Sequence, residues 1–600
     1  MVSSSLERGG QWEDFGVKER CSKLTPHLEP ASQEVRINES ECAGSGGVSR
    51  PLSTTTKATE TLSIARHWIH ECLKTHEECP VPKQGIYPTR LLDCGPADSS
   101  RCCLIETTKT DISGPYLALS HCWGGSESFK LTTDNYRDLC NGVPTSSLPQ
   151  LYQDSLYVAR EMGVRYIWID SLCIIQSGDS LADWKREAPL MSEVYSNALC
   201  TISAADAPDS YHSLFSDRNP DIVCPPTTHL WIDGKLARYE FSDWDLWRVE
   251  VLQAKVNTRA WVLQERLLSP RILYFGARQV FWECVTKEAA ETNPAGLTGG
   301  SVGSDVSTGR GIRAALLSAQ DADVDSILSY HWPNVVKLFT HCDLTFSRDK
   351  LVAVSALARM MSTISGEDYV AGMWKRTLER NLLWFKSRNG TSRVQPQVDA
   401  GIYRAPSWSW ASVDGQIEPG RISGTRRRDV LIKAEDMKLD YVTDDKMGMI
   451  QGGWLRLRGT LLSVKLLRLD NPPRPEDGAS WGIWIDWTPN KLQGLNYAAE
   501  SETDLDVILD RPRDSFDQDN ENGSLFCMPA MLSCRSGGIP NICVMLLLER
   551  LMGESGPLFR RIGCLLGEGD FERKVLGCTV GEEEFPYKIF FEECPSIYII

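Results

Sequence analysis

Five short apolar segments between residues 116 and 284 constrain the fold of this chain more than any other feature of its sequence. The segments are YLALS (116–120), YIWID (166–170), ALCTISA (198–204), RILYF (271–275) and QVFWEC (279–284). Each has the length of a β-strand, and stretches of different character separate them. We therefore predict five strands in this part of the chain.

Segments with helical periodicity lie between the first three predicted strands. In LPQLYQDSLYVAREMG the apolar residues recur mostly at helical intervals, and Gly163 is placed to end the helix. In DWKREAPLMSEVYSNA, Asp183 can cap the first turn, and Pro189 should kink the helix or start a new one. A further helix is predicted from Thr59 to about Thr75.

Strands that alternate with helices favour parallel pairing through right-handed crossovers. The predicted fold class is therefore α/β, with a doubly wound, largely parallel sheet. A helical segment and a β-rich C-terminal region are expected to follow it.

At 600 residues, the chain is long enough for two or three domains. Composition and periodicity divide it into segments of different predicted character. These are a disordered tail (1–58), a helical and extended flank (59–115), the α/β domain (116–290), a flexible linker or loop (291–324), a helical region ending in APSWSWASVDG (325–415) and a β-rich region of unknown role (416–600).

The composition excludes several classes of protein. The formal net charge of −16 argues against a nucleic-acid binder, which normally presents a basic face. The N-terminal segment MVSSSLERGGQWEDFGVKER lacks the apolar stretch of a secretory signal. No segment reaches the roughly 18 apolar residues that a membrane helix needs. We therefore expect a cytoplasmic protein with no membrane span and no nucleic-acid partner.

One group of cysteine and histidine residues is a weak candidate for a metal site. In HWIHECLKTHEEC, the spacing of Cys72, His76 and Cys79 places all three on one face of a helix. His67 or Cys94 could supply a fourth ligand, but the segment has no C-x2-C pair. We expect a helix with polar and thiol side chains here, and no required cofactor.

The first two predicted strands end in unusual sequences. SHCWGG follows the first strand, and Asp170 ends the second. Ligands of doubly wound sheets bind at the carboxyl ends of the strands. Gly124 and Gly125 would allow close approach of the backbone to a ligand, and Trp123 offers a flat wall. We therefore predict a binding rim that also includes His121; a strained turn packed against the Trp is the alternative.

The residues alone leave several chemical interpretations of this rim open. His121 with Cys122 or Cys173, oriented by Asp170, would suit a thiol hydrolase, although LCII is typical of a buried thiol. Glu187, on the following helix, could stabilise an oxocarbenium ion at a ribose. The alternative is that this carboxylate only complements the helix dipole.

The segment NTRAWVLQERLLSPRILYFGARQVFWEC predicts a helix followed by a hairpin. Its Arg259 and Arg266 are seven residues apart and hence near one face of the helix. They could pair with Asp170, Glu187 or a phosphate, but structural ion pairs are the commoner use of such residues.

Three segments resemble the fungal heterokaryon-incompatibility (HET) domain, in which they occur in the same order. They are YLALSHCWGG (116–125), RYIWIDSLCIIQSGDSLADWKREAPLMSEVYSNALCTISA (165–204) and NTRAWVLQERLLSPRILYFGARQVFWEC (257–284). The resemblance covers about residues 116–284, and it implies a HET domain over 116–290. The flanking sequences WIHECLKTHEEC, SRDKLVAVSALA and APSWSWASVDG also resemble long members of that family. The resemblance implies a role in non-self recognition, in which fusion of incompatible fungal cells triggers cell death.

The resemblance further implies a flavodoxin-like sheet related to the TIR fold. Some TIR domains hydrolyse NAD with a glutamate in a Trp-Cys-x-x-Glu context, to which Trp184-Lys185-Arg186-Glu187 is similar except for Lys185. This implies Glu187 as a catalytic residue, NAD as a candidate substrate, and Trp184 and Arg259 as rim residues. Many TIR domains are only assembly modules, so self-association or a protein partner is the alternative expectation.

Overall fold

The computed structural model describes most of the chain. The described residues are 35–39, 52–125, 128–232, 235–243, 245–297, 309–317, 323–387, 403–420, 430–469, 481–486, 500–502, 505–533, 542–551, 557–568 and 594–600. The chain forms two compact units, one of Met1–Thr258 with Glu265–Ser318 and the other of Arg259–Gln264 with Ala319–Ile600. Among the described helices, none combines the length and apolar character that crossing a membrane requires.

The described residues of the first unit contain β-strands along the whole length of the unit. They are β1 (Val35–Glu39), β2 (Arg90–Asp93), β3 (Arg101–Glu106), β4 (Tyr116–Ser120), β5 (Val143–Pro144), β6 (Tyr166–Ile169), β7 (Cys200–Ser203), β8 (Thr227–Ile232), β9 (Lys235–Asp243), β10 (Arg271–Phe275), β11 (Val280–Cys284) and β12 (Glu288–Ala290). All five predicted strands are confirmed, as β4, β6, β7, β10 and β11.

Helices alternate with these strands. They are α1 (Thr59–Thr75), α2 (Tyr136–Asn141), α3 (Gln150–Glu161), α4 (Asp170–Cys173), α5 (Ala182–Glu187), α6 (Met191–Asn197), α7 (Pro220–Val223), α8 (Ala260–Leu268) and α9 (Arg310–Leu317). The predicted effect of Pro189 is confirmed, because α5 stops at Glu187, a single 3-10 turn carries the proline, and α6 starts anew at Met191.

The main sheet of the first unit is mixed, in the order β12-β11-β10-β7-β4-β6-β2-β3-β5. Its central strands β10, β7, β4 and β6 run parallel, and their residues are buried on both faces, which explains their continuous apolar sequences. Antiparallel strands flank this centre on both sides. A second, smaller sheet has the order β1-β9-β8.

The register of the parallel strands determines where the loops lie. Leu119 pairs with Ile169, and Ser120 pairs with Ser203, so β4, β6 and β7 all end at the same edge of the sheet. The segments that leave these ends therefore lie side by side at that edge. These are the segments that carry most of the predicted rim residues.

Three features of the first unit differ from the predicted domain boundaries. The sheet already includes β2 and β3, because their few residues carry too short a pattern to predict a strand. Residues 310–317 form a helix within the predicted linker, where Ile312 and Leu316 lie buried one turn apart. Strand β1 lies within the predicted disordered tail and pairs with β9. Residues 1–34, 40–51, 298–308 and 318–322 of those predicted segments lie outside the described residues.

The second unit begins with helical segments and ends in a large sheet. Its helices are α10 (Val324–Ser326), α11 (Trp332–Thr340), α12 (Lys350–Ser365), α13 (Leu378–Asn381) and α14 (Asp517–Asn522). Its short strand pairs are β13 (Tyr369–Val370) with β14 (Met373–Trp374), and β15 (Phe385–Lys386) with β16 (Ile417–Glu418).

A ten-stranded sheet makes up most of the C-terminal region, which confirms its predicted β-rich character. The strands are β17 (Lys433–Tyr441), β18 (Ile450–Arg458), β19 (Leu462–Arg468), β20 (Trp481–Ile485), β21 (Glu500–Glu502), β22 (Leu505–Leu509), β23 (Leu525–Ser533), β24 (Ile542–Leu551), β25 (Leu558–Glu568) and β26 (Ser596–Ile599). Leu462, Val464, Met545 and Leu565 are among the buried side chains that pack together in its core.

The segment APSWSWASVDG packs into the interior of the second unit. Trp408 and Trp410 are both buried, and the indole of Trp410 donates a hydrogen bond of 2.7 Å to the carbonyl of Gly372. A Cβ atom at Gly372 would lie only 2.6 Å from that indole nitrogen. The tryptophans of this segment therefore serve packing, and Gly372 allows the close approach.

Candidate functional site

The structure brings His121, Trp123 and Asp170 together at the carboxyl ends of β4 and β6. The indole Nε1 of Trp123 donates to Oδ2 of Asp170 at 2.7 Å, and Nδ1 of His121 lies 3.7 Å from Oδ1 of Asp170. The backbone N–H of Ser171 also donates to Oδ1, at 2.7 Å. Asp170 therefore links the two strand ends through its carboxylate.

Two further residues complete this group and were not predicted from the sequence. Nε2 of His121 lies 3.1 Å from the hydroxyl of Tyr152, which in turn lies 2.8 Å from Oγ of Ser171. Tyr152 lies on α3 four positions before the apolar Leu156, and this helical spacing was the signal that both residues share one face of the helix. We call His121, Trp123, Tyr152, Asp170 and Ser171 the rim cluster.

The side chains of the rim cluster differ in how deeply they are buried. Both His121 and Tyr152 are buried, and desolvation raises the pKa of the Tyr152 phenol. The hydrogen bonds between Trp123 and Asp170 and between His121 and Tyr152 therefore hold the two strand ends in a defined arrangement. Trp123 is only half-buried, and Gly124 and Gly125 are exposed, so these three residues form its surface.

The segment after β7 packs so closely against this surface that position 124 has no room for a side chain. Gly124 has a φ of +83°, and a Cβ atom at this position would lie 2.5 Å from Cβ of Asp209, in the segment after β7. Gly125 has no neighbour within 4 Å of such an atom. Oδ1 of Asp209 lies 2.7 Å from Nδ1 of His212, and this contact lowers the pKa of Asp209. Asp209 and His212 thus belong to the same edge, and no sequence pattern predicted either residue there.

Glu187 is buried and lies in a group of polar and charged residues. Its Oε2 accepts a hydrogen bond of 2.9 Å from Thr89, and its Oε1 accepts one of 3.0 Å from Arg186 and lies 3.8 Å from the guanidinium of Arg90. Arg90 and Arg186 also bind Asp183. We call these five residues the Arg90 cluster. Among the described residues, Glu187 makes hydrogen bonds or ion pairs with these partners and not with residues 121–125.

The start of α5 differs from the prediction for Asp183. The helix begins at Ala182 with Leu181 at the N-cap position, and the Asp179 carboxylate accepts the backbone N–H groups of Leu181 at 3.0 Å and Asp183 at 2.8 Å. The Asp183 carboxylate does not cap the helix because it binds arginines of the Arg90 cluster and accepts the backbone N–H of Ile175. Trp184, a predicted rim residue, follows on α5 and is half-buried.

The two arginines of the third segment lie in different units. Arg259 belongs to the second unit, where it forms an isolated backbone bridge with Asp343. Arg266 belongs to the first unit, where its buried guanidinium lies 3.4 Å from Glu283 and donates to the hydroxyl of Tyr274 at 3.1 Å. Arg266 therefore forms a structural ion pair, which is the commoner role of such arginines.

The thiols near the rim do not favour nucleophilic chemistry. Cys173 is buried, and desolvation raises the pKa of its thiol to about 12. A thiol with such a pKa is protonated at neutral pH and is a poor nucleophile. Cys122 is also buried.

The weak metal-ligand candidates Cys72, His76 and Cys79 do come together, and Cys284 joins them. Nδ1 of His76 lies 3.4 Å from Sγ of Cys284 and 4.0 Å from Sγ of Cys79. The ligand atoms of all four residues lie within 4.8 Å of one another. We call this group the thiol cluster. Neither His67 nor Cys94 belongs to it, contrary to our suggestion for the fourth position.

A cavity of about 640 Å³ lies in the second unit. Among the residues that line it are Arg511, Arg513, Arg560 and Arg561. Arg513 and Arg560 pair with Glu549, and Arg561 pairs with Asp510. These three arginines are already paired with carboxylates, and Arg511 donates to the carbonyl of Ser412 at 2.9 Å, so the cavity gives no specific indication of a ligand.

Fold and site together define an α/β protein whose parallel strands present a polar cluster at their carboxyl ends. Residues 116–265 match the family model described as Heterokaryon incompatibility protein (HET), which confirms the predicted resemblance over this part of the chain. The match runs from the first residue of β4 into α8, and it includes the whole rim cluster and Glu187. No curated protein and no solved structure matches the chain.

Proposed function

We propose that this protein is an effector of heterokaryon incompatibility, which acts in non-self recognition between fungal cells and triggers cell death. The HET match over residues 116–265 supports this role. We further propose that the domain signals by association, with itself or with a protein partner, through the loops at the carboxyl ends of β4, β6 and β7.

The contacts of Glu187 carry the preference for association over chemistry. A carboxylate that stabilises a ribosyl cation needs access to the substrate and a negative charge that no protein cation already neutralises. Glu187 is buried, and Arg186, Arg90 and Thr89 occupy its two oxygens. Asp170 likewise accepts hydrogen bonds from Trp123 and Ser171. Both carboxylates thus have partners that favour a structural role.

The loops around the rim support an interaction surface. Tyr211, in the segment after β7, is 58% exposed, and Leu181, in the segment after β6, is 46% exposed. Exposed aromatic and apolar side chains of this kind are typical of protein contacts. Ser180 and Leu181 also adopt left-handed backbone conformations, with φ of 58° and 62°. Such strain in non-glycine residues is commonly retained for function.

Hydrolysis of NAD by a doubly wound, TIR-like domain is the second candidate. The position of Trp123, Gly124 and Gly125 at the ends of parallel strands favours it, because ligands bind there in such sheets. In this mechanism the N-glycosidic bond breaks and nicotinamide leaves with the electron pair. Glu187 stabilises the ribosyl cation until water adds to it and releases a proton, and the glycine backbone approaches the diphosphate. Glu187 would first have to exchange Arg186 and Thr89 for the substrate.

The experiment uses the full chain and three variants. Glu187→Gln removes the proposed catalytic charge, and Tyr211→Arg places a cation on the proposed contact surface. Ile222→Arg is the matched control, since Ile222 is 55% exposed on α7. Each protein is purified and assayed for NAD consumption, and each is expressed at equal level in a fungal cell and scored for toxicity.

We expect no consumption of NAD by any of the four proteins. Toxicity should be lost with Tyr211→Arg and kept with Glu187→Gln and Ile222→Arg. Consumption of NAD by the unchanged chain that Glu187→Gln abolishes would overturn the association proposal and establish the enzyme. Full toxicity of Tyr211→Arg would show that signalling does not pass through this surface.

A further inference from the structure

The thiol cluster is assembled by two distant parts of the first unit. Helix α1 ends at Thr75, and the backbone N–H of His76 bonds to the carbonyl of Cys72 at 3.3 Å. The N–H of Cys79 then bonds to the carbonyl of His76 at 3.2 Å, and this second turn brings Cys79 back toward the helix. Cys284, the last residue of β11, closes the group.

The spacing of the ligand atoms suits a tetrahedral zinc ion. Zinc lies about 2.3 Å from a cysteine sulfur and about 2.0 Å from a histidine nitrogen, so its ligand atoms are separated by roughly 3.5–3.8 Å. Nδ1 of His76 lies 3.4 Å and 4.0 Å from the sulfurs of Cys284 and Cys79. All four ligand atoms lie within 4.8 Å of one another, so only small side-chain adjustments would be needed to reach this geometry.

A buried arginine supplies an independent reason to expect a negative charge at this place. Arg271 is 0% exposed, and its guanidinium donates to Sγ of Cys72 at 3.2 Å and to the carbonyl of Pro80 at 2.8 Å. Among the described residues, no carboxylate forms an ion pair with Arg271. A buried cation without a counter-charge is costly.

A zinc ion bound by three thiolates and one neutral imidazole would supply that counter-charge. Two positive charges on the metal and three negative charges on the sulfurs leave one negative charge, which balances the one positive charge of Arg271. Three protonated thiols would leave the guanidinium uncompensated.

Each sulfur also has a hydrogen-bonding group beside it, as metal-bound thiolates commonly do. The backbone N–H of Lys287 donates to Cys284 at 3.2 Å, the hydroxyl of Thr286 lies 3.5 Å from Cys79, and Arg271 donates to Cys72.

We propose that Cys72, His76, Cys79 and Cys284 bind one zinc ion in a closed, structural site. Three sulfurs and one imidazole are a ligand set that zinc prefers, and four protein ligands leave no open position for catalysis. The metal would join the end of α1 to β11, where Trp68 already stacks on Trp282 with ring centres 6.2 Å apart. This site is independent of the function proposed for the rim.

The test measures the metal content of the full chain, purified in reducing buffer without chelator. We expect about one zinc ion per chain by elemental analysis. Cys284→Ser and His76→Ala should reduce this to near zero. Two matched controls, Cys94→Ser and His67→Ala, change a buried cysteine and an α1 histidine outside the thiol cluster and should retain the full amount.

Cobalt substitution gives a second readout that does not depend on a destabilising variant. The unchanged chain loaded with Co²⁺ should show the intense visible absorption of tetrahedral cobalt and the charge-transfer bands of bound thiolates. His76→Cys, at a half-buried position just after α1, should keep the metal and shift this spectrum, because it replaces the imidazole by a fourth sulfur.

Three results would overturn the proposal. The first is an unchanged chain that contains no zinc and takes up no cobalt. The second is Cys284→Ser with the same metal content as the unchanged chain. The third is loss of metal from Cys94→Ser or His67→Ala to the same extent as from the cluster variants, which would place the metal elsewhere.

Discussion

The Arg90 cluster permits a quantitative test of the structural role of Glu187. Glu187→Gln preserves the shape of the side chain, and Thr89 can still donate to its amide oxygen. The lost attraction to Arg186 is weak because that side chain is 60% exposed, and Arg90 keeps its hydrogen bond to Asp183. We therefore expect Glu187→Gln to lower the free energy of unfolding by about 1–2 kcal/mol.

Asp183→Asn should cost more. Its carboxylate accepts hydrogen bonds from Arg90, Arg186 and the backbone N–H of Ile175, and both Asp183 and Arg90 are buried. The substitution leaves the Arg90 guanidinium with only the 3.8 Å contact to Glu187 as a counter-charge. Breaking a buried pair in this way costs about 3–5 kcal/mol.

Urea unfolding of the full chain, followed by tryptophan fluorescence, measures both effects. Glu193→Gln changes an exposed carboxylate at the start of α6 and should stay within about 0.5 kcal/mol of the unchanged chain. The expected order of destabilisation is Asp183→Asn, then Glu187→Gln, then Glu193→Gln. If Glu187→Gln instead stabilises the protein, the reasoning is refuted, because a group that is strained for catalysis gains stability when it is neutralised.

Three further predictions concern the rim and buried charges. Gly124→Ala, which forces a Cβ atom to 2.5 Å from Asp209 at a φ of +83°, should cost about 1–3 kcal/mol in urea unfolding, whereas Gly125→Ala should be nearly neutral. Burial raises the pKa of Glu288 from its ordinary value of 4.5 to about 7. Between these two pH values, the folded chain therefore keeps a proton that the unfolded chain has released. Stability should therefore fall as the pH rises from about 4.5 to 7, by at most about 3 kcal/mol, and Glu288→Gln should abolish this fall; an unchanged pH profile would contradict it. Burial lowers the pKa of Lys350 to about 7, so from there up to its ordinary value of 10.5 the unfolded chain binds the extra proton. Stability should rise with pH across that interval in the unchanged chain, and denaturation of Lys350→Met should show no such contribution.

Local sequence patterns predicted the central strands of the first unit and several of its helices. The five apolar segments became β4, β6, β7, β10 and β11, because each is long enough for one strand and is buried on both faces. The helix expected from Thr59 to about Thr75 has these bounds, and Pro189 divides α5 from α6 through its missing N–H group. Such features depend on residues that are close together in the chain, so the sequence alone is enough to predict them.

The sequence did not indicate that the main sheet is mixed. Strands β2 and β3 pair antiparallel beside β6, although neither shows a pattern long enough to predict it. Helix α9 likewise formed in a segment whose glycine and serine content predicted a linker. In both cases tertiary packing supplies a burial energy that local propensity does not record.

Only the tertiary structure decided the partners of the candidate site residues. The spacing of Cys72, His76 and Cys79 was visible in the sequence, but Cys284 lies 208 residues beyond His76 and reaches it through the position of β11. Glu187 was predicted to act at the rim, yet its ion pairs are with Arg186, next to it in the chain, and with Arg90 on β2. Which charges and ligands meet depends on strand order and register across the sheet, and these are set by contacts between segments that no local periodicity connects.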